Sequence, residues 1–160
     1  MRRFASLCVA PLMLKVVTAS SSSQQQQLRR HSDHPTGDRT QPLNMTWVLP
    51  NGEEKSNVVC YDGQTLLEIA TEHDFPVEGA CGGVCACSTC HMYIDGKFED
   101  TFEGPTEKED DMIDQAFYPQ PTSRLGCQLK VRRGVHEGMR VSLPKATRNM
   151  AVDGYVAKPH

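Results

Sequence analysis

Four of the seven cysteines in this chain lie within ten residues: Cys81, Cys85, Cys87 and Cys90, in GACGGVCACSTCHMYI from Gly79 to Ile94. A fifth thiol, Cys127, lies far downstream. Thiols in this pattern constrain the fold strongly, because a set of four must converge on one group. Only Cys87 and Cys90 form a C-x-x-C pair. A four-cysteine zinc site ordinarily uses two such pairs, so a zinc-stabilised structural domain is the weaker reading. A disulfide framework fails on the odd cysteine count and on the crowding of Cys85 and Cys87. Three close cysteines and one remote is the pattern of a two-iron, two-sulfide cluster, with plant-type spacing C-x4-C-x2-C…C. Cys81, Cys87 and Cys90 give C-x5-C-x2-C, one residue longer. Cys85 does not replace Cys87, since that leaves no C-x-x-C. Spacing therefore selects Cys81, Cys87, Cys90 and Cys127.

The residues between the thiols suit such a group. Backbone N–H groups aimed at sulfur stabilise a negative cluster. Gly79, Gly82 and Gly83 let the backbone curl with positive φ where needed. Ala80, Ala86, Ser88 and Thr89 are small enough to leave that approach open. Cys85 is expected to be a free thiol packed inside the loop, and Cys60, in a strand beside Val58 and Val59, a small buried apolar residue.

Charge divides the chain. Residues 1–42 hold six Lys/Arg and two Asp/Glu; residues 43–160 hold eleven and eighteen. The leader is Ser-rich, with Arg2 and Arg3, then Lys15, Arg29 and Arg30, and no acid before Asp33. This composition fits a mitochondrial transit peptide, in which Cys8 is lost on processing. Phe4–Leu14 could serve as a secretory core, but Lys15 and the late arginine pair argue for the mitochondrion. The SSSSQQQQ block cannot bury a core, so residues 1–42 are expected to be disordered or removed. The acidic remainder excludes a nucleic-acid partner, which wants a basic patch. No apolar run approaches the ~18 residues needed to span a bilayer, so membrane insertion is not expected.

Residues 43–160 read as one α+β domain. Met45–Leu49 and Lys55–Tyr61 form a hairpin about Pro50-Asn51-Gly52. Thr65 and Glu68 open a helix to His73 as a capping box. His91–Asp95 is a strand. Thr106 and Glu109 make a second capping-box pattern, with a helix to about Ala116 stopped by Pro119 and Pro121. Gly126–Val131 and Met139–Leu143 read as two further strands.

EGACGGVCACSTCH, SRLGCQL about Cys127, and the thirty-six residues between Cys90 and Cys127 resemble the adrenodoxin-type 2Fe–2S ferredoxins. The resemblance covers roughly residues 43–160. It implies a β-grasp fold with the cluster near the surface on Cys81, Cys87, Cys90 and Cys127. It implies a monomeric one-electron carrier, not an enzyme by itself, reduced by an NADPH-dependent ferredoxin reductase in the mitochondrial matrix. Cysteine-only ligation and an acidic domain favour a low potential, about −400 mV in plant-type ferredoxins. LPKATRNMAVDGYVAKPH, Gly82-Gly83 and Cys85 resemble the subclass serving iron–sulfur cluster assembly proteins. The other subclass serves cytochrome hydroxylases and carries an aliphatic residue at the Cys85 position.

Between Asp95 and Asp114 there are nine acids against Lys97 and Lys108. Mutual repulsion costs stability, and a basic partner relieves it and binds faster. A solvated face, and first-turn acids complementing the helix dipole, are the plainer accounts. The resemblance favours a partner site of Glu107, Asp110, Asp111 and Asp114; Lys108 replaces an acid common in the hydroxylase type. Met112 and Ile113 between them are expected to pack on the core. The resemblance also implies that His91 hydrogen-bonds away from the cluster, linking its loop to the acidic segment. Phe117 stands where the hydroxylase type has a tyrosine in that link, and Ser123 and Arg124 are placed to substitute.

Overall fold

The computed structural model describes residues 37–147; the leader through residue 36, with Cys8, and the tail from residue 148 lie outside them. The described residues open on strand β1, Asp38–Val48, which pairs antiparallel with β2, Glu54–Asp62. β1 therefore starts several residues before the boundary expected at residue 43. Asp38 already pairs with Asp62, and a register shift before Pro42 accommodates the residue that cannot donate. Along β1, Leu43, Met45 and Trp47 are buried at every second position, the period of a strand with one face on a core. Val58 and Cys60 continue that face on β2.

Helix α1, Leu66–Glu72, opens with the full capping box. Glu68 N–H donates to Thr65 Oγ1 at 3.2 Å, and Thr65 N–H donates to Glu68 Oε2 at 2.7 Å. Leu66, Ile69 and Ala70 are buried against the sheet, where each large apolar side chain contributes about 1.5–3 kcal/mol. A long loop leads to β3, His91–Ile94, then to a short 3-10 turn, Glu99–Thr101, and α2, Glu107–Ile113. β4, Ser123–Leu125, and β5, Arg140–Ser142, complete the sheet. The order is β2-β1-β5-β3-β4, with β1 and β5 parallel and the other pairs antiparallel. This is the β-grasp arrangement. Among the described residues no helix is long and apolar enough to cross a membrane.

Two elements differ from the expectation. Gly126–Val131 is not a ladder strand. Its carbonyls turn to the N-terminus of α1, where Leu66 N–H donates to Leu129 O at 3.0 Å and Leu67 N–H to Gly126 O at 3.1 Å. These satisfy helix donors that have no partner within the helix. α2 ends at Ile113, short of Ala116 and well before Pro119, and its capping box is only half built. Thr106 Oγ1 accepts from Glu109 N–H, but the Glu109 carboxylate faces inward instead of returning to Thr106.

His136 is fully buried and stacks on Phe102 with ring centroids 4.2 Å apart. Arg132 N–H donates to its Nδ1 at 2.8 Å, so the ring proton sits on Nε2 and points at Thr101 Oγ1, 2.9 Å away. Burial, aided by Arg132 and opposed by Asp62, pushes its pKa down to about 4. The native ring stays neutral while the unfolded ring takes a proton below about 6.5. Stability linked to His136 is therefore complete above pH 6.5 and is lost progressively as pH falls toward 4. His136→Gln should be less stable than wild type at pH 7, and the gap should narrow by about 1–2 kcal/mol at pH 5. Denaturant unfolding at the two pH values measures this; a gap independent of pH refutes it.

Candidate metal centre

The thiols meet because the backbone between Gly79 and Cys90 takes conformations that most residues avoid. Gly79, Gly82, Gly83 and Cys85 all have positive φ, between 55° and 88°. At Gly79, where φ is 59°, a Cβ would also lie 2.8 Å from Leu67 Cδ1, so a larger residue would be strained and would displace Leu67. The left-handed run turns successive N–H groups inward, toward sulfur.

Cys127 joins the loop from the opposite side. Gly126 N–H donates to Cys90 O at 2.9 Å, and a Cβ on Gly126 would run into Met92. The thiols then fall into two neighbouring pairs, Cys81 with Cys87 and Cys90 with Cys127, each close enough for one thiol to shift the ionisation of the other. Among the described residues no three His, Cys, Asp or Glu side chains gather as a site for one ion. All six described cysteines are free.

The electrostatics of the loop favour a thiolate at one member of each pair, Cys81 and Cys127. Burial opposes ionisation of Cys81, but the N–H groups of Ala86 and Gly83 and the Cys87 thiol outweigh it and hold the pKa below the ordinary value. The Cys90 thiol lowers Cys127 to about 6 against the effect of burial, helped by the Gln128 amide and the Cys85 N–H. Gln128 Nε2 lies 3.0 Å from Cys127 Sγ and also reaches Gly83 O at 3.3 Å. Ala80 N–H donates to Thr89 Oγ1 at 2.8 Å, which leaves the Thr89 hydroxyl proton for Cys87 Sγ at 3.1 Å. Cys87 and Cys90 themselves are raised, Cys87 chiefly by burial and Cys90 chiefly by the neighbouring Cys127 thiol. Two thiol pairs inside a cradle of N–H donors fit a binuclear iron–sulfide group, since metal ligation takes the remaining thiol protons.

Around the thiols lies a small apolar shell of Leu67 and Leu125, with Met112 and Ile113 of α2 packed on it. Cys85 belongs to this shell: it is buried, and burial raises its pKa. Cys60 lies instead in the main core at 0% exposure, its pKa pushed up to about 12 by burial. Cys81 is the least buried of the six described cysteines.

His91 follows Cys90 and is buried, with its pKa lowered by burial to about 4. Its Nε2 lies 2.7 Å from Ser123 Oγ, which accepts from Gln120 N–H at 2.8 Å. The loop is thereby tied through β4 to the segment after α2. Phe117 is largely exposed. Arg124 lies under α2: its Nε donates to Glu109 Oε1 at 2.9 Å, and a terminal nitrogen reaches Glu109 Oε2 at 3.2 Å and Glu103 O at 2.9 Å. Leu125 N–H adds a third donor to Glu109 at 2.9 Å. Glu107, Asp110, Asp111 and Asp114 are exposed along α2 and its C-terminal cap. Sequence reasoning placed Glu109 as the capping-box partner of Thr106 and a first-turn acid, and missed its pairing with Arg124. The signal available was Arg124 itself, which stands two residues before Gly126 and three before Cys127.

The family described as the 2Fe-2S iron-sulfur cluster binding domain matches residues 48–132. The chain belongs to the adrenodoxin-type 2Fe–2S ferredoxins, and its cofactor is a 2Fe–2S cluster. It is 46% identical over 125 residues to adrenodoxin-like protein 2, mitochondrial, of Arabidopsis thaliana, covering 78% of this chain and 62% of that protein. It thus spans about three fifths of that relative's length. The ISC-like [2Fe-2S] ferredoxin of Pseudomonas putida superposes with a TM-score of 0.57 at 35% identity, over 67% of this chain and 96% of that one. Putidaredoxin, solved in a covalent complex with putidaredoxin reductase, superposes with a TM-score of 0.58 at 28% identity, over 63% and 97%.

Glu109→Ala should destabilise the holoprotein by about 3–5 kcal/mol, because it leaves Arg124 charged and buried without its partner. Asp110→Asn, one residue on and exposed, should stay within about 0.5 kcal/mol of wild type. Denaturant titration of both variants checks the contrast.

Proposed function

We propose that this protein is a one-electron carrier, not itself an enzyme, and that Cys81, Cys87, Cys90 and Cys127 hold its cluster. When bound, a 2Fe–2S cluster supplies a centre that takes up and gives back one electron. The observation that carries the reading is the pairing of four thiols inside a cradle of inward N–H groups, at the edge of an acidic helix. Paired thiols suit two metal ions, and this favours the cluster over a single structural zinc. The chain's own contribution is to hold the set rigid and dry. His91–Ser123–Gln120 and Gln128–Gly83 brace the loop, while Leu67, Leu125, Met112 and Ile113 exclude water. Cys85 is a bystander thiol within that shell.

Electrons come from an NADPH-dependent ferredoxin reductase that docks on Glu107, Asp110, Asp111 and Asp114. The solved covalent complex of putidaredoxin with its reductase supports a partner of that kind. Delivery is to iron–sulfur cluster assembly proteins. Gly82-Gly83, Cys85 and the terminal LPKATRNMAVDGYVAKPH support this over delivery to cytochrome hydroxylases or haem-modifying enzymes, as does the resemblance to an ISC-like ferredoxin. The basic, Ser-rich leader and the mitochondrial relative support work in the mitochondrial matrix, with the leader ahead of β1 directing import. The strand that begins at Asp38 supports cleavage upstream of that residue.

Anaerobically purified protein should contain two irons and two acid-labile sulfides per chain, with visible bands that bleach on reduction. Serine at Cys81, Cys87, Cys90 or Cys127 should lower or alter that content, whereas Cys85→Ser should keep the spectrum and stoichiometry. A colourless protein with one zinc that refuses reconstitution overturns the carrier reading. Reversing the charge of Asp111 and Asp114 together should slow reduction by the reductase at least tenfold at low salt and flatten its salt dependence. Stopped-flow reduction across a salt series measures this, and unchanged kinetics at low salt removes the acidic docking site.

A further inference from the structure

The described residues leave five large apolar side chains exposed: Val59, Val84, Phe117, Tyr118 and Val135. Three of these bracket α2. Lys108, in its first turn, donates to Val84 O at 3.2 Å and so brings the tip of the cysteine loop to the start of the helix. Phe117 and Tyr118 follow its other end, just past the Asp114 cap. The exposed acids lie between these two apolar spots. Interfaces between proteins take this form, with aromatic anchors set among polar and charged groups.

Tyr118 is the most exposed of the five, at 65%, and its backbone is in the left-handed region at φ 57°. A glycine adopts that conformation freely, whereas a bulky side chain there is strained by about 1–3 kcal/mol. The strain returns nothing to the core, because the ring stands in solvent. The backbone is nonetheless fixed: the Tyr93 hydroxyl donates to Tyr118 O at 2.7 Å from within β3. β3 is the strand that follows Cys90, so the anchor point and the thiol loop share one rigid support. A turn that glycine would fill without strain has been given a large aromatic side chain, pinned in place and presented outward. Tyrosine in such a setting is among the residues that dominate binding energy.

We infer that Tyr118, with Phe117 beside it, is the aromatic anchor that seats the basic face of the electron-donating reductase on this domain. The inference rests on the reductase reading above and assigns a specific residue to it. Charge complementarity selects the occupant: Lys108 is the sole cation of α2, against Glu107, Asp110, Asp111 and Asp114 on its exposed surface. The acids speed encounter and orient the partner. The ring then supplies contact area that charge alone does not, and slows dissociation.

The test uses full-length holoprotein and an NADPH-dependent, adrenodoxin-reductase-type flavoprotein. Tyr118→Gly should keep the visible spectrum and melt at or above the wild-type temperature, since it relieves the left-handed strain. Its KM as a substrate of the reductase should rise at least fivefold with kcat little changed, while Tyr118→Phe stays near wild type. Asparagine tolerates left-handed backbone, so Tyr118→Asn repeats the measurement should the glycine variant melt lower. If both small variants keep KM within twofold of wild type while the Asp111/Asp114 reversal impairs reduction, the anchor is refuted and the acidic docking site stands. If the reductase does not reduce wild-type protein at all, the docking reading falls and the anchor falls with it.

Discussion

Everything near the thiols depends on one backbone clip. Gly126 donates to Cys90 O and accepts from Leu67 N–H, and so fastens Cys127 to both the cysteine loop and the start of α1. Closing a loop of that length costs chain entropy, which grows slowly with length but must be met in full before any thiol pair forms. The clip offsets part of it with two backbone hydrogen bonds. A side chain there would displace the end of Met92, which packs against Gly126. Helix α1 gains as well, since the carbonyls of Gly126 and Leu129 satisfy two of its free N–H groups. The same residues thus close the site and cap the helix.

That double use explains what was legible in the sequence and what was not. Local signals were clear. The Pro50-Asn51-Gly52 turn, the alternation through Leu43, Met45 and Trp47, and the Thr65/Glu68 capping box each report a short-range preference that tertiary structure kept. Gly126–Val131 has the composition of a strand, but its carbonyls are claimed by α1, a demand that lies some sixty residues away and leaves no local mark. Glu109 misleads for a similar reason. The Thr106–Glu109 spacing is that of a capping box, and the residue sits in a run of acids, yet three donors from Arg124 and Leu125 draw it inside. Of the site itself, the spacing of the cysteines marked the thiols that pair. The pairing itself, the inward N–H groups and the strained Tyr118 are backbone geometry, which residue types alone do not encode.

The burial of Glu109 also sorts the acidic helix by role. One face of α2 carries Met112 and Ile113 against the thiol shell and sends Glu109 down to Arg124. The other face carries Glu107, Asp110, Asp111 and Asp114 into solvent. A buried pair of charges adds little net stability over apolar packing, but it is costly to break. It therefore fixes how the helix lies on β4 more than it strengthens the domain. With α2 fixed in this way, the exposed acids keep a constant position relative to the cysteine loop.

Fixed position matters because electron transfer depends on distance and on little reorganisation, whereas docking must be brief. The two demands conflict if they fall on the same atoms, since a flexible docking surface would move the centre with it. Here they are divided. The thiol loop is braced from beneath by His91, Ser123 and Gln128, all linked to sheet or to the loop itself. The proposed docking surface is the outer face of α2 and the turn after it, held through Glu109 and through the Tyr93 hydroxyl. The His91–Ser123, Glu109–Arg124 and Tyr93–Tyr118 braces all reach β3 or β4, the strand after Cys90 and the strand before Cys127, so the proposed docking surface and the thiol loop share one support. On the proposed reading, a charged rim on such a frame would let the partner arrive fast and leave.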